Sequence, residues 1–555
     1  SLTCSRGREE VCPIMPGYGI CLSPRSLGQA ATDAVTKAPL PRGHLVQFFF
    51  EADAGNRHAT LIRATLGTPP GALPQLFQSH GWLNGTLSEQ FDPASFDADK
   101  QDTWPLVLPQ ASIAFAKRTG KRQRGDEEPR RVRHIREPST TKPLLSLVLV
   151  RWGGAYSPWM DEQEANDGDW GKYGSPPSDE YMKALVEEGV LQHPRLLSDN
   201  GVGMNFEMYS LFVGSSNDVW QAGDLAKTIV AQLKGAHRAG FWMLWPAEWE
   251  DTGDPDFACY IDRHALFIAM RACEAAGLRT GFPHPADQFE LITSKSWMAY
   301  LSLHPGARLP AATLVAKSGV KSNPALAARQ ALAALEHIRA MNPFPASPGE
   351  PAAPSVVNSM GVKKGVVKLG WSWENRFVLV WKGVEELQKR LEEMLNQPGC
   401  LASQCVVQEW VDFDFEMRLY FLPAGEWTPG STLQPTRVEC NAWGQRDEKG
   451  SVGTSGASFH KLSTDACLAR WSRDEVAWES ANNQAIEVAQ LLLAWLLTAS
   501  AQPVAMIRMD FMLKRLGPGK ARVFFGEYCE MGACCLGWRE GPPTIWRAAL
   551  DAAML

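Results

Sequence analysis

Residues 507–532 read IRMDFMLKRLGPGKARVFFGEYCEMG. Two apolar runs, Ala505 to Leu513 and Val523 to Cys529, flank the turn sequence Leu516-Gly517-Pro518-Gly519. The pattern predicts a β-hairpin. Side chains alternate along a strand, so Arg508 and Asp510 are expected on one face. By the same rule Phe525, Glu527 and Cys529 share one face of the return strand. A hairpin symmetric about Pro518 and Gly519 sets Asp510 opposite Glu527. Two carboxylates facing each other across a strand pair repel, and burial makes this worse. A positive charge between them resolves the conflict. Either a side chain supplies it, Arg508 or Lys514, or a divalent cation does. Mg²⁺ takes one or two carboxylates together with phosphate oxygens, which suits such a pair.

The rest of the chain sets bounds. Its 555 residues are enough for roughly two to four domains. Apolar residues make up 45% and charged residues 21%, a globular balance. A net charge of −6 gives no general attraction to nucleic acid or anionic membrane. No early stretch reads as a cleavable signal, and the apolar run Ala489 to Ala499 is too short to span a bilayer. The 12 cysteines lack paired C-x-x-C spacing, and the adjacent Cys534 and Cys535 make a poor zinc pattern. Buried thiols in a reducing compartment are expected, and so a cytoplasmic location. Lys117 to Arg136 carries nine Lys/Arg among polar residues. It reads as a solvated linker, with a nuclear address or a nucleic-acid patch as the alternative.

Several segments follow in order. Residues 1–42 are rich in Gly, Pro, Ser and Ala and are expected to be flexible. HLVQFFFEA at 44–52 and ATLIRATL at 59–66 look like strands of a small β-containing domain over 43–116, joined by short apolar segments near 105–116. A basic linker covers 117–140. From Leu144 strands and helices alternate: LLSLVLVR at 144–151, MYSLFVG at 208–214, a helix at 222–235, FWMLW at 241–245, and the amphipathic helix 262–276 before a strand near 279–285. Such alternation predicts an α/β domain over 141–288 with a mostly parallel sheet. It contains no G-x-G-x-x-G, so a dinucleotide site has no support. Further on come a helix at 323–341, a Pro/Ala/Ser linker at 343–359, a strand at 365–368, a helix at 384–396, strands at 405–411 and 415–422, a loop-rich stretch at 423–460 and a long helix at 474–500.

Four features now line up: FELITSKSWMAYLSLHPGARLPAATLV at 289–315, GVVKLGWSWENRFVLV at 365–380, CVVQEWVDFDFEMRLYFL at 405–422, and the hairpin. Their succession, over about residues 140–540, resembles the ATP-grasp superfamily. That group includes D-alanine–D-alanine ligase, glutathione synthetase and tubulin-tyrosine-ligase-like enzymes. The resemblance implies an α/β and α+β fold. A pre-ATP-grasp α/β lobe would precede two α+β lobes, 289–411 and 412–555, that clamp ATP, and the N-terminal β-containing region would be extra.

The resemblance also implies roles. Lys295 and Lys368 would approach the phosphates, Lys368 with a catalytic part. Gln408, Glu409, Trp410 and Val411 would form the hinge that meets adenine. Glu416 would lie near the ribose, and Arg418 near phosphate or the substrate carboxylate. Asp510 and Glu527 would hold Mg²⁺, and Arg508 would stabilise an acylphosphate. The plainer reading makes the lysines surface residues and the polar strand face solvated. Two departures stand out. Cys529 occupies the place of a third metal ligand that is often Asn, and Glu530 beside it points the other way by alternation. The loop after Lys368 has only Gly370 and Ser372 as small residues, flanked by Trp371 and Trp373. His460 and Lys461, after the Gly/Ser-rich loop Gly450 to Ser458, are candidates for a lid.

The implied activity is an ATP- and Mg²⁺-dependent ligase that joins a carboxylate to an amine, or less often a thiol, through an acylphosphate. A non-catalytic nucleotide-binding scaffold and a small-molecule kinase of the same fold are the alternatives. The partners would be small-molecule or peptide carboxylate and amine substrates, with no membrane. The sequence links neither Trp152, Trp159 nor Asp161 to a given acid.

Overall fold

The computed structural model describes residues 15–16, 45–52, 59–67, 143–152, 189–196, 206–213, 215–216, 219, 230–231, 233–250, 259–341, 362–372, 377–422, 433–443, 459–497, 504–529, 538 and 540–555. The apolar segments near 105–116, the basic run, Trp159, Asp161, the linker 343–359, Trp373, Gly450 to Ser458, Glu530, Cys534, Cys535 and most of the helix 222–235 lie outside the described residues. The chain forms two compact units. One comprises residues 1–244, 253–283 and 533–555, the other residues 245–252 and 284–532.

The first unit holds one mixed sheet. Strands β1 (Met15–Pro16), β2 (Leu45–Ala52) and β3 (Ala59–Gly67) pair antiparallel, β2 lying between the other two. Strand β4 (Leu145–Trp152) lies between β5 (Phe206–Val213) and β6 (His237–Met243), parallel to both. Leu145 through Val150 are all buried, as expected of a central parallel strand covered on two faces. β2 joins β5 antiparallel, Leu45 opposite Leu211, so the hairpin of β2 and β3 extends this sheet. The short strand β7 (Trp245–Ala247) belongs to the second unit. In the first, β8 (Tyr260–Asp262) runs into helix α1 (Arg263–Ala275), where the Asp262 side chain accepts a hydrogen bond from the Ala265 amide at 3.0 Å. α1 stops at Gly277, whose φ of +93° suits glycine. Strand β9 (Arg279–Phe282) then adds parallel to β6. The C-terminal helix Gly541–Ala553 also lies in this unit, where the Trp546 ring stacks on Phe241 at 5.5 Å.

The second unit has two antiparallel sheets. Helices α2 (Ala286–Thr293) and α3 (Trp297–Leu301) lead to β10 (Ala312–Ala316). Helices α4 (Lys317–Ser322) and α5 (Pro324–Met341) follow, then β11 (Lys364–Lys368), β12 (Val378–Lys382), helix α6 (Gly383–Leu395) and β13 (Gln404–Glu409). The strand order is β10-β13-β11-β12. Val315, Val367, Trp381, Cys405 and Val407 share one buried cluster with the apolar faces of α5 and α6. Gly365 must be glycine there: a Cβ would sit 2.2 Å from the Gln408 carbonyl oxygen. Strand β12, in the motif at 365–380, was not separated from its loop in the sequence. Its alternation is too short to show.

The second sheet has the order β16-β15-β14-β17-β18. It is built from β14 (Phe415–Phe421), β15 (Arg437–Trp443), β16 (Phe459–Leu462), β17 (Ile507–Gly517) and β18 (Lys520–Cys529), with helices α7 (Thr464–Arg470) and α8 (Glu475–Leu497) between β16 and β17. Phe415, Met417, Leu419 and Phe421 join Met509, Phe511, Leu513, Val523 and Phe525 in one buried cluster with α8. Residues 437–443 correct the expectation of a loop-rich stretch over 423–460. RVECNAW is a strand in which Glu439 and Asn441 are buried, so it lacks the apolar density that marks strands. Six described cysteines are buried and free, and Cys529 is half-buried and free. Among the described residues no helix is long and apolar enough to cross a membrane.

Candidate functional site

The hairpin sets the site. Asp510 pairs with Glu527 and Arg508 with Cys529. The expected register holds because two irregularities cancel. One lies between Arg515 and Gly517, the other between Asp510 and Phe511, opposite Gly526. Gly519, at φ +69°, closes the turn after Pro518. The bulge at Gly526 corrects one expectation: Phe525 and Glu527 do not share a face. Phe525 pairs with Phe511 and is buried in the core, while Glu527 pairs with Asp510 on the other side. A Cβ on Gly526 would lie 3.0 Å from the Asp510 carbonyl oxygen, so the bulge is built around glycine.

The register carries the polar face across five strands. Arg418 on β14 lies between Asp510 on β17 and Glu439 on β15. Tyr420 lies between Arg508 and Arg437, and Glu416 between Met512 and Asn441, itself opposite Lys461 on β16. Most of this face is buried: Arg418 is 7% exposed, Arg508 4%, Asp510 2%, Glu439 2% and Asn441 0%. A solvated polar strand is therefore the wrong description. Glu439 and Asn441 escaped the sequence reading because they lay in the stretch taken as loop. Their alternation with Val438, Cys440 and Ala442 repeats the pattern of Glu416 and Arg418 and was the available signal.

Charges on this face pair closely. Arg508 grips Asp510 with a fork, Nε to Oδ1 at 2.9 Å and Nη2 to Oδ2 at 2.8 Å. A side chain therefore answers the Asp510 charge, as one of the two alternatives required. Lys514 is not that side chain. It donates to Asp414 Oδ1 at 2.7 Å, nearer the turn. Arg418 Nε donates to Glu416 Oε1 at 2.7 Å and lies 3.7 Å from Asp510 Oδ2. Burial works against the Arg508 charge, but Asp510, Cys529 and Tyr420 hold its pKa well above the ordinary value. Burial and Arg508 oppose the Arg418 charge, and Glu416 with Asp510 outweigh them. Burial pushes the Glu416 carboxyl up, with Arg418 pulling it back.

Glu527 stands apart from these pairs. Among the described residues it makes no close hydrogen bond or ion pair, but it lies near enough to Lys368 to favour that lysine's charge. Lys368 ends β11, half-buried. Desolvation pulls its pKa down to about 8, and Lys295 adds to the fall. Lys368 thus lies within the fields of both Lys295 and Glu527. Lys295 takes a left-handed φ of +55° and donates to the Ser372 carbonyl at 2.6 Å. This ties the turn after α2 to the loop after Lys368. The Trp371 amide donates to the Thr293 carbonyl at 2.7 Å, and Trp371 is buried.

The hinge residues divide between two faces. Gln408 pairs with Ala312 and Val366, on the side of Val406 and Lys368. Among the described residues its buried Nε2 has no hydrogen-bond partner. Glu409 faces the helices instead, with Arg339 of α5 3.0 Å away. Burial raises its pKa and Arg339 opposes the rise. Trp410 follows the strand. Lys364 Nζ sits 3.7 Å from its ring centroid, and its indole N–H donates to Asp412 Oδ1 at 3.0 Å. Val411 beside it is half-buried.

These residues fit a polyphosphate with a hard cation. Asp510 and Glu527 are adjacent carboxylates. Lys295, Lys368, Arg418 and Arg508 supply cations around them, and the buried Arg508 Nη1 has no hydrogen-bond partner among the described residues. Among the described residues no group of three or more His, Cys, Asp or Glu could hold a metal. A cation would thus draw on two carboxylates plus phosphate oxygens, the habit of Mg²⁺.

No protein-family model matches the chain, and no curated protein matches it significantly. Solved structures do. D-cycloserine synthetase DcsG is 16% identical, over 73% of this chain and 99% of its own, with a TM-score of 0.38. The D-alanine–D-alanine ligase from Bacillus anthracis is 10% identical, over 74% of this chain and 96% of its own, with a TM-score of 0.38. VanG D-Ala:D-Ser ligase from Enterococcus faecalis is 10% identical, over 74% and 99%, with a TM-score of 0.39. The chain is similar to these ligases and to this synthetase.

Proposed function

We propose that residues 284–532 bind MgATP and use it to join a carboxylate to an amine. The observation that carries this reading is that Lys368 lies within the fields of both Glu527 and Lys295, beside the buried pairs of Arg508 with Asp510 and Arg418 with Glu416. Such a cluster is costly to bury unless a charged ligand uses it. Gln408, Trp410 and Val411 would line the base, and Glu416 would lie toward the ribose. Asp510 and Glu527 would hold Mg²⁺, which supplies charge neutralisation at the phosphates. In the first step a substrate carboxylate oxygen attacks the γ-phosphorus and ADP departs, leaving an acylphosphate. In the second an amine attacks the acyl carbon, inorganic phosphate leaves and the amine loses a proton. Lys368 and Lys295 offset charge on the transferring phosphoryl group. Arg508 offers its remaining N–H to the acyl oxygen.

Calorimetry with MgATP is the first test. Mg²⁺-dependent binding by the wild type, lost in Asp510→Ala with Glu527→Ala, is expected. No binding by the wild type would sink the reading. A nucleotide-binding scaffold is favoured by one observation, that both Asp510 oxygens are engaged by Arg508. Phosphate release that stays absent across a panel of acids and amines, with MgATP bound, would select it.

A further inference from the structure

Cys440 and Cys467 are free thiols that the proposed chemistry leaves unused. Cys440, on β15, is 5% exposed and Cys467, on α7, is 0% exposed. The chain brings them together by a short route. Cys440 pairs with Leu462 on β16, and Ser463 then caps α7, its side chain accepting from the Ala466 amide at 3.1 Å. The Cys467 amide donates to the Ser463 carbonyl at 3.0 Å, which sets Cys467 one turn further on. Both side chains enter one buried cluster. Their thiols are hydrogen-bonded, Cys440 donating to Cys467. That bond holds the Cys467 pKa below its ordinary value, with Arg470 in the last turn of α7 helping it against burial. The same bond, together with burial, pushes the Cys440 pKa up. One sulfur is favoured as the thiolate and the other as its proton donor, the division of roles that a closing dithiol uses.

We infer that Cys440 and Cys467 form a redox pair that closes to a disulfide when a peroxide reaches them. The inference does not rest on the nucleotide reading. The Cys467 thiolate attacks one peroxide oxygen, the O–O bond breaks, and the departing hydroxide takes up a proton to leave as water. Cys467 is then a sulfenic acid. The Cys440 sulfur attacks the Cys467 sulfur, the S–O bond breaks, and a second water leaves with the Cys440 proton. Two thiols are oxidised and one peroxide is reduced to two waters. Access follows from the place of α7 and β16. β16 is the edge strand of its sheet, and α7 is a helix of 7 residues. Short elements at an edge open locally more readily than a central strand. The new bond ties α7 to β15 and closes the chain between them into a loop that contains β16.

The test treats the full chain with hydrogen peroxide, alkylates the remaining thiols after unfolding, and maps the peptides by mass spectrometry. A peptide joining Cys440 to Cys467 is expected, lost on treatment with dithiothreitol and absent from Cys440→Ser and Cys467→Ser. In Cys440→Ser the sulfenic acid at Cys467 has no resolving thiol, so dimedone is expected to label it there. Hydrogen exchange of the α7 amides is expected to slow by at least about tenfold on oxidation of the wild type, and in neither variant. Cys529, half-buried, is the internal comparison. Its oxidation while Cys440 and Cys467 are both still alkylated overturns the inference. So does a disulfide from either of them to another cysteine. Circular dichroism checks that the variants fold; should one fail, the wild-type peptide map alone decides.

Discussion

Lys368 should cost the ligand-free protein stability, and the cost can be worked out. Desolvation on the site face pulls its pKa to about 8, with Lys295 adding to the fall and Glu527 opposing it. An unfolded lysine titrates near about 10.4. At pH 7 the fold therefore holds a charged ammonium that it disfavours. The difference is worth roughly 2–3 kcal/mol. The sign is set by proton counting: between about 8 and about 10.4 the unfolded chain binds the proton and the folded chain does not. Stability thus rises with pH across that window, and the penalty is full below it and absent above it. Lys368→Met is expected to stabilise the ligand-free protein by roughly 2–3 kcal/mol at pH 7, and by about half as much or less at pH 9.5. Hydrogen exchange of the β17 and β18 amides reads the stability of this unit. Competitive acetylation of Lys368, followed by mass spectrometry across pH, reads the titration itself. A midpoint near about 10.4, or a variant less stable than wild type at pH 7, would refute the reasoning. Bound Mg²⁺–AMP-PNP should move the midpoint upward, because phosphate favours the ammonium.

Two further substitutions test the hairpin. Asp510→Ala strands a buried guanidinium at Arg508 and is expected to cost about 3–5 kcal/mol in chemical unfolding, most of it recovered by Arg508→Met with Asp510→Leu; no recovery would mean the fork is not the cause. Gly526→Ala places a methyl group 3.0 Å from the Asp510 carbonyl oxygen and should cost about 1–3 kcal/mol. It should also weaken MgATP binding by moving Glu527, and unchanged affinity would show that the bulge does not position the carboxylate.

The hairpin shows where sequence reasoning reached and where it stopped. Turn chemistry at Pro518-Gly519 and the apolar flanks identified both strands, and symmetry found the partner of Asp510. Alternation alone then misplaced Phe525, because a single glycine resets the phase. The parallel strand at 145–150 was plain, since burial on two faces demands an unbroken apolar run. β15 was hidden for the opposite reason. One of its faces carries Glu439 and Asn441 into a buried network, so its composition imitates a loop. Lys368 was legible as a lysine ending an apolar strand. Its neighbours Lys295 and Glu527 come from elements distant along the chain, and no local pattern announces that they meet. Glu409 and Gln408, adjacent in sequence, were grouped together, yet a strand sends neighbours to opposite faces.

The chain order of the first unit bears on how the protein is made. Phe241 on β6 and Phe282 on β9 are covered by Trp546, at 5.5 and 4.8 Å between ring centroids. The ribosome releases those strands before that helix, with residues 284–532 emerging in between. The second unit can therefore finish folding while the first still lacks its closing helix. During that interval an aromatic sheet surface stays open to solvent, the kind of surface that chaperones hold and that aggregation exploits. A chain cut short before Gly541 would keep its candidate site complete and leave its first unit unclosed.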